Sequence, residues 1–275
     1  MSSSTPLLLG LLGDSRVYKS PSPKMHTRAL DYAKLGGYYV PLLLAASDLL
    51  ETLPILSKLN FQGLNVTAPL KEAVLPHLGE LSAQAKKIGA ANTLSRDPKD
   101  GLYHGHNTDA DGFASAYLKD LKASTALVLG AGGAARAVLF ALKERGFSPT
   151  VMNRSQDKAE SLAHEFESQF TPYGESDAFP LVINTTSASS LAELGGSLDI
   201  KLQEAATVVD INYKRPDNWF RELAARQGAV FFDGLLMLAH QARLSFMIFT
   251  KIKDIPLDPF LDALNIRHHE SNRAN

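Results

Sequence analysis

Three short polar segments in the first half of the chain carry side chains able to exchange a proton and form many hydrogen bonds. The first, Gly63 to Glu72, reads as a strand with a polar end that runs into a helix begun by Pro69, with Lys71 in its first turn. A cation there opposes the helix dipole, which suggests a functional role, although a surface lysine paired with the next glutamate is the simpler alternative. The other two, Gly89 to Thr93 and Gly105 to Phe113, follow or end short strands, where sites in α/β proteins lie.

A glycine-rich turn between a strand and a helix marks the second half of the chain. From Gly130 to Ala135 it reads Gly-x-Gly-x-x-Ala. Gly130 permits a tight turn, Gly132 lets the backbone approach a pyrophosphate, and the small Ala135 allows close packing of helix on sheet. Without context, an ordinary glycine-rich connection explains the string equally well. The residues predicted to contact a dinucleotide here are Gly130, Ala131, Gly132, Gly133 and Ala134.

The end of the next strand decides which dinucleotide is expected. Asn153, Arg154 and Ser155 stand there, 23 residues after Gly130, and none of them is acidic. An NAD site needs a carboxylate at this point for the ribose hydroxyls, whereas an arginine accommodates the extra phosphate of NADP. We therefore predict NADP as cofactor, bound by these three side chains and by Lys158 one helical turn on. The alternative is that the two cations only solvate a helix start.

Through these residues and several further motifs, the sequence resembles the shikimate dehydrogenase family. The resemblance extends from Gly13 to about Ile248. The family's motifs are matched by Ser20-Pro21-Ser22-Pro23, Asn65 to Lys71, Gly89 to Thr93, Asn107 to Gly112, Asn153 to Ser155 and Gly234 to Ala242. The resemblance implies reversible NADPH-dependent reduction of 3-dehydroshikimate to shikimate, in aromatic amino-acid biosynthesis.

The resemblance also implies roles for individual residues. Lys71 and Asp109 would be the catalytic pair, and Gly234 and Met237 would line the nicotinamide pocket. Substrate contacts are implied for Ser20, Ser22, Asn65, Thr67, Asn92, Tyr213 and Gln241, together with Asp109. Two other functions stay open: a paralogue acting on quinate or an amino-shikimate, and a metabolite-sensing binding protein without turnover.

Three loops depart from the family pattern. In the loop Asp14 to Lys19, lysine stands where the family usually has histidine. The segment Asn184 to Ser189 has lost a glycine, and Lys214 to Trp219 replaces a proline-rich stretch. These differences concern cofactor affinity and substrate range more than the fold.

The elements that would position these residues alternate along the chain. Short apolar runs separated by amphipathic segments predict an α/β fold with parallel strands joined by helices. The predicted strands are Leu7 to Leu12, Tyr38 to Leu42, Gly63 to Thr67, Ala91 to Leu94, Leu102 to His106, Ala126 to Leu129, Thr150 to Asn153, Leu181 to Asn184, Thr207 to Ile211 and Ala229 to Phe232. A long helix is predicted from Leu235 to about Lys251.

Length and composition set the remaining expectations. The 275 residues predict two domains, a substrate-binding domain of 1–112 plus 233–275 and a Rossmann-like domain of 113–232, with a frayed tail from 267. A net charge of -1 argues against nucleic-acid binding. The chain has no cysteine and shows no signal peptide or membrane span, so we expect a cytoplasmic protein without membrane contact. We expect no metal, since His104 and His106 lack a third ligand nearby, and a monomer or homodimer.

Overall fold

The computed structural model describes residues 5–196, 198–213 and 215–266. The chain divides into two compact units, 1–112 with 238–275 and 113–237. The domain boundaries expected from the sequence differ from these units only over 233–237, and as functional boundaries they stay a prediction. The expected tail from 267 and the departure at Lys214 lie outside the described residues.

The strands and helices are numbered in chain order. The strands are β1 (Leu7–Gly13), β2 (Gly37–Leu43), β3 (Phe61–Val66), β4 (Thr93–Arg96), β5 (Tyr103–His106), β6 (Thr125–Leu129), β7 (Ser148–Met152), β8 (Gln169–Phe170), β9 (Glu175–Asn184), β10 (Asp199–Asp210) and β11 (Val230–Asp233). The α-helices are α1 (Ser22–Tyr32), α2 (Leu49–Lys58), α3 (Leu70–Ala73), α4 (Ala83–Ile88), α5 (Asp109–Tyr117), α6 (Gly133–Lys143), α7 (Gln156–Glu165), α8 (Trp219–Arg226), α9 (Leu235–Thr250) and α10 (Asp258–Leu264). Short 3-10 helices occupy Ser15–Lys19, Ala46–Asp48 and Leu75–His77.

The first unit contains a five-stranded sheet in the order β2-β1-β3-β4-β5. β1 is parallel to β2 and β3, but β4 is antiparallel to both of its neighbours, so the expectation of parallel strands is wrong here. The short connection from β4 to β5 requires these two strands to be antiparallel, since only antiparallel neighbours can be joined by a few residues. The long connection from β3 to β4 allows either direction, and the structure shows this pair antiparallel. The site residues on β3 and β4 therefore meet where one strand ends and the other begins.

The second unit contains a six-stranded sheet in the order β11-β10-β9-β6-β7-β8, and all its paired strands are parallel, as expected. This is the doubly wound order of dinucleotide-binding sheets, with the topological switch between β6 and β9. β9 and β10 begin earlier than predicted. Glu175 and Asp199, the first residue of each strand, are polar and exposed, and the ion pair between Lys201 and Glu175 links the two strands there. Polar residues interrupt both extensions, so neither contains an apolar run from which it could be predicted.

Buried apolar side chains hold each unit together. In the first unit the core includes Leu12, Leu64 and Leu94 from three adjacent strands. In the second unit it includes Leu127, Val182, Val208 and Phe220. The predicted long helix is confirmed as α9. Over the part of the chain that the structure describes, no helix is both long and apolar enough to cross a membrane.

Candidate active site

Lys71 and Asp109 form an ion pair in the first unit. Lys71 lies on the one-turn helix α3 that follows β3, and Asp109 is the first residue of α5. The Lys71 Nζ donates to Asp109 Oδ2 at 2.7 Å, and the two side chains are 17% and 6% exposed. The Asp109 backbone N–H donates to Asn107 Oδ1, which holds the start of α5 in place. A charge-assisted bond at this burial keeps the ammonium group in one direction.

Asn92 connects this ion pair to helix α9. Its Nδ2 donates to Asp109 Oδ1 at 2.9 Å and to Gln241 Oε1 at 3.3 Å. Its Oδ1 accepts from the backbone N–H of Thr108 at 2.8 Å. Gln241 approaches closely because Gly112 lacks a side chain: a Cβ there would lie 2.8 Å from the Gln241 Cβ. The predicted residues Lys71, Asn92, Asp109 and Gln241 are therefore contiguous.

Behind them lies a set of buried polar side chains, which we call the buried cluster: Asn65, Asn92, Thr93, Thr108, Gln241 and Ser245. Each is less than one-tenth exposed. Asn65 Nδ2 donates to Ser245 Oγ at 2.9 Å, and Ser245 Oγ lies 2.7 Å from Thr93 Oγ1. Thr93, Thr108 and Ser245 were not among the predicted site residues. The two threonines stand inside recognised motifs, and Ser245 is one helical turn after Gln241, so those were the available signals.

The predicted residues Ser20, Ser22 and Thr67 lie on neighbouring segments of the same unit. Ser20 Oγ donates to Ser22 Oγ at 3.0 Å at the start of α1. Thr67 follows β3, and its backbone N–H donates to Leu12 O at 2.9 Å. Gly13 makes room for it, since a Cβ there would meet Thr67 Cγ2 at 2.5 Å.

Tyr39 links the serines to the buried cluster, and no sequence signal indicated it. Its hydroxyl donates to Asn65 Oδ1 at 3.0 Å. Burial raises the pKa of the Tyr39 phenol, and the neighbouring Ser22 hydroxyl lowers it in part. His26 stacks on the Tyr39 ring with ring centroids 4.3 Å apart. Burial lowers the pKa of His26 to about 3, so this ring is neutral. Among the described residues, none bonds its Nδ1.

The unusual loop Asp14 to Lys19 has its own stabilising contacts. Asp14 caps the short 3-10 helix and pairs with Arg16 at 2.8 Å. The Arg16 guanidinium holds the pKa of the Asp14 carboxyl below its usual range. Arg16 also donates to Ala68 O at 3.2 Å, on the segment that leads to Lys71. The altered residues thus tie this loop to the segment between Thr67 and Lys71.

In the second unit, Gly130 to Ala134, here called the glycine loop, joins β6 to α6. Gly130 has φ +114°, and a Cβ there would lie 2.5 Å from Thr185 Oγ1. Gly132 precedes α6, and among the described residues nothing lies within 4 Å of where its Cβ would be. Ala135 is fully buried against the sheet. Protein packing therefore explains Gly130 and Ala135, and leaves open space beside Gly132.

Asn153, Arg154 and Ser155, here called the arginine loop, follow β7. Because β6 and β7 are adjacent and parallel, this loop lies at the same edge of the sheet as the glycine loop. Arg154 is exposed, and its Nη1 donates a long hydrogen bond of 3.4 Å to Glu193 O. Lys158 lies exposed on α7. The two cations and the absence of a carboxylate within the arginine loop suit the extra phosphate of NADP.

The remaining predicted residues of the second unit lie after β10 and β11. Tyr213 is partly buried in the segment after β10. Position 234 has room only for glycine, because a Cβ there would lie 1.8 Å from Ile211 O and overlap it. The backbone N–H of Met237 donates to Tyr117 Oη at 3.3 Å.

The altered segment Asn184 to Ser189 is held by its own side chains. Asn184 is fully buried and donates to Ala188 O at 2.7 Å and to Asp210 Oδ1 at 2.9 Å. Its Oδ1 accepts from the Thr186 hydroxyl at 2.8 Å. These bonds order the loop without the glycine that the family usually has there.

A doubly wound sheet with this pair of loops, together with a lysine–carboxylate pair among amide and hydroxyl groups, defines an NADP-dependent oxidoreductase. Family models agree with this class. Residues 12–94 match the shikimate dehydrogenase substrate binding domain, and residues 113–211 match the model of shikimate / quinate 5-dehydrogenase.

Known proteins resemble the chain over most of its length. A shikimate dehydrogenase (NADP(+)) of Thermus thermophilus is 40% identical over 257 residues, which cover 87% of this chain and 91% of that protein. A crystal structure of shikimate 5-dehydrogenase from the same species, in complex with NADP(H) and shikimate, is 35% identical, with a TM-score of 0.83 over 94% of this chain and 98% of that one. Quinate dehydrogenase from Corynebacterium glutamicum, solved with NAD, is 29% identical, with a TM-score of 0.81 over 94% and 99%. The chain belongs to the shikimate dehydrogenase family.

Proposed function

We propose that this chain catalyses the reversible NADPH-dependent reduction of 3-dehydroshikimate to shikimate, as a step of aromatic amino-acid biosynthesis. The observation that carries the proposal is the Lys71–Asp109 ion pair at 2.7 Å, set beside hydrogen-bonding amides in the unit that matches the substrate-binding family model. The NADP-dependent relatives that share most of the chain support it.

In this proposal Lys71 moves the proton. Hydride reduction of a ketone builds negative charge on its oxygen, and the Lys71 ammonium stabilises that charge and gives up a proton. Asp109 directs the ammonium group, and Asn92 holds the other carboxylate oxygen. In the reverse direction the Lys71 amine accepts the proton from the substrate hydroxyl. NADPH, when bound, supplies the hydride.

The other polar residues would recognise the hydroxyls and the carboxylate of the ring acid. We assign this role to Ser20, Ser22, Asn65, Thr67, Asn92, Asp109, Tyr213 and Gln241. A site of paired donors and acceptors rejects an analogue that lacks one hydroxyl, because a buried partner is then left unsatisfied.

We assign the cofactor to the second unit. The glycine loop would approach the pyrophosphate, with Gly132 leaving the room that this requires. Asn153, Arg154, Ser155 and Lys158 would bind the 2′-phosphate. Gly234 and Met237 would line the nicotinamide pocket.

An absorbance assay tests the function directly. Purified protein with NADP and shikimate should form NADPH, and the reverse reaction should consume NADPH with 3-dehydroshikimate. Saturable binding of either compound without any change in absorbance would instead make the chain a metabolite-sensing protein.

Quinate is the second candidate substrate, because a quinate dehydrogenase is among the similar structures. Quinate carries an extra hydroxyl on the carbon that bears the carboxylate, which the Ser20 and Ser22 loop would have to accommodate. We expect shikimate to be preferred by at least about tenfold in kcat/KM, a factor that needs only about 1.4 kcal/mol. Comparable efficiencies with NADP would make the chain a quinate/shikimate dehydrogenase, and oxidation of an amino-shikimate in the same assay would identify that paralogue.

We also propose that the enzyme works in the cytoplasm as a monomer or homodimer. The absence of cysteine fits a reducing compartment. Light scattering of the purified protein would distinguish one chain from two, and a larger assembly would contradict both.

A further inference from the structure

The hydrogen bonds around Asn65 leave only one orientation for its amide group. Its Nδ2 lies 3.1 Å from the backbone oxygen of Asn92, which can only accept. Turning the amide over would place two acceptor oxygens against each other in a buried site, and an unsatisfied buried pair is costly. Nδ2 therefore faces Asn92 O, Thr93 Oγ1 and Ser245 Oγ, and Oδ1 faces the Tyr39 hydroxyl at 3.0 Å.

The direction of two bonds at Ser245 follows in the same way. Asn65 Nδ2 can only donate, so Ser245 Oγ accepts from it. Gln241 O can only accept, so the Ser245 hydroxyl is the donor in that contact, at 3.0 Å. The Thr93 hydroxyl lies 2.7 Å from Ser245 Oγ, and either of these two oxygens can be the donor in that contact. Ser245 is thus the point where helix α9 is bonded to the ends of β3 and β4.

These bonds use both hydrogens of the Asn65 amide inside the protein. Three acceptors lie within 3.2 Å of Nδ2, and they leave no donor for a ligand. Oδ1 accepts one bond, from Tyr39, and a carboxamide oxygen has a second lone pair. What Asn65 can offer a substrate is therefore one acceptor, and only a hydroxyl or another donor satisfies it.

We propose that the Asn92 carbonyl fixes which way the Asn65 amide faces, and that Ser245 and Tyr39 are positioning residues that hold the amide in this orientation, so that Asn65 acts as an acceptor and selects a substrate hydroxyl. The inference rests on the proposed function and adds to it the acceptor role of Asn65 and two residues that hold its amide in place. Neither positioning residue takes part in the proton transfer, because the Lys71–Asp109 pair makes no bond to either of them among the described residues.

The test compares two hydroxyls of the same helix. Ser245→Ala removes the bond to Asn65. Thr250→Ala removes a hydroxyl that, among the described residues, bonds only to Phe246 O at 2.7 Å and to the Ile252 N–H, just after α9, at 3.4 Å. We expect Ser245→Ala to raise the KM for shikimate about fivefold to tenfold, the scale of one hydrogen bond, with kcat and its pH profile unchanged within about twofold. Thr250→Ala should leave both constants at their original values.

Substrate analogues distinguish positioning of Asn65 from a general structural role, because a general structural role would affect all ligands equally. With shikimate and its three monodeoxy analogues, Ser245→Ala should weaken binding of every ligand except the one that lacks the hydroxyl read by Asn65. Binding is measured as KM for ligands that turn over and as an inhibition constant for the analogue without the reacting hydroxyl. Tyr39→Phe should show the same pattern, and the double variant should be less than additive because both act through Asn65. Equal effects on all four ligands, or a Ser245→Ala enzyme like Thr250→Ala, would overturn the proposal.

An NMR experiment tests the positioning role independently of the proposed enzymatic function. If the original protein does not turn over shikimate, the proposed function fails, but the side-chain amide of Asn65 can still be observed by NMR after selective 15N labelling of asparagine. Its signal should shift in Ser245→Ala and stay in place in Thr250→Ala. An unmoved signal in Ser245→Ala contradicts the positioning role. Ser245→Cys, which nearly keeps the volume, replaces the alanine variant if that one does not fold.

Discussion

The buried cluster of the first unit and the two loops of the second unit differ in how much of their chemistry is satisfied within the protein. In the buried cluster nearly every polar atom has a protein partner, and each member is less than one-tenth exposed. In the arginine loop, by contrast, Arg154 and Ser155 are exposed, and Gly132 of the glycine loop faces open space.

The difference fits the two kinds of ligand. A small ring acid is distinguished by single hydroxyls, which requires donors and acceptors in fixed directions. A dinucleotide phosphate carries charge that a flexible, exposed arginine and free backbone can meet without such rigidity. Substitutions in the first unit should therefore change rate and selectivity, and substitutions in the second should change affinity.

The largest effect is expected at the ion pair. Lys71→Ala removes the proton donor and should lower kcat about a hundredfold or more, with a smaller change in KM. Steady-state kinetics would measure this, with the exposed Lys86→Ala on α4 as control. A change confined to KM would make Lys71 a binding residue.

A substitution in the arginine loop should change the affinity of the protein for NADPH. Arg154→Ser removes a cation from the proposed 2′-phosphate site and should weaken NADPH binding by about 1.5–3 kcal/mol, the scale of hydrogen bonds to a charged group. NADH binding should stay nearly the same, and Arg226→Ser on α8 should change neither. Titration by protein fluorescence would measure both cofactors. A preference of the original protein for NADH would refute the assignment.

A substitution of His26 measures how much stability the protein loses at low pH because a titratable ring is buried beside the buried cluster. Its pKa of about 3 in the folded protein lies below the ordinary value near 6.5, so the unfolded chain binds more protons between these values. Stability should therefore fall as pH falls below about 6.5, by up to about 1.4 kcal/mol per pH unit from this group. Replacing the ring by His26→Phe should remove about 2 kcal/mol of the loss between pH 6.5 and 5. Urea unfolding at both pH values would show it, and identical losses would contradict it.

The smallest effect sharpens the contrast within the glycine loop. Gly132→Ala places a methyl group in open space, so stability should change by less than about 0.5 kcal/mol while the KM for NADP rises about tenfold. Gly130→Ala should instead lose about 1–3 kcal/mol of stability, because it combines a positive φ with a clash at Thr185. Thermal unfolding and kinetics together would tell the two apart, and an unchanged KM in Gly132→Ala would remove the phosphate assignment.

Much of the fold followed from local pattern, and its failures have identifiable causes. Most of the sheet of the second unit was predictable because the buried parts of β6, β9 and β10 are continuous apolar runs. The exposed two-residue strand β8 carries no such run and was not predicted. The reversal of β4 was not predictable either, since the direction of a strand depends on its connections and on its pairing partners and not on the residues of the strand itself.

The sequence by itself determined the types and spacing of the groups that do chemistry: Lys71 after a strand, Asp109 at a helix start, the glycine loop, and an arginine where NAD enzymes carry an acid. Only the tertiary structure decided which way those groups point. Tyr39 and Ser245 stand 26 residues before and 180 residues after Asn65, and both bond its amide. The physical reason is that a motif specifies a donor or an acceptor, whereas its direction depends on the carbonyls and hydroxyls that distant segments bring against it.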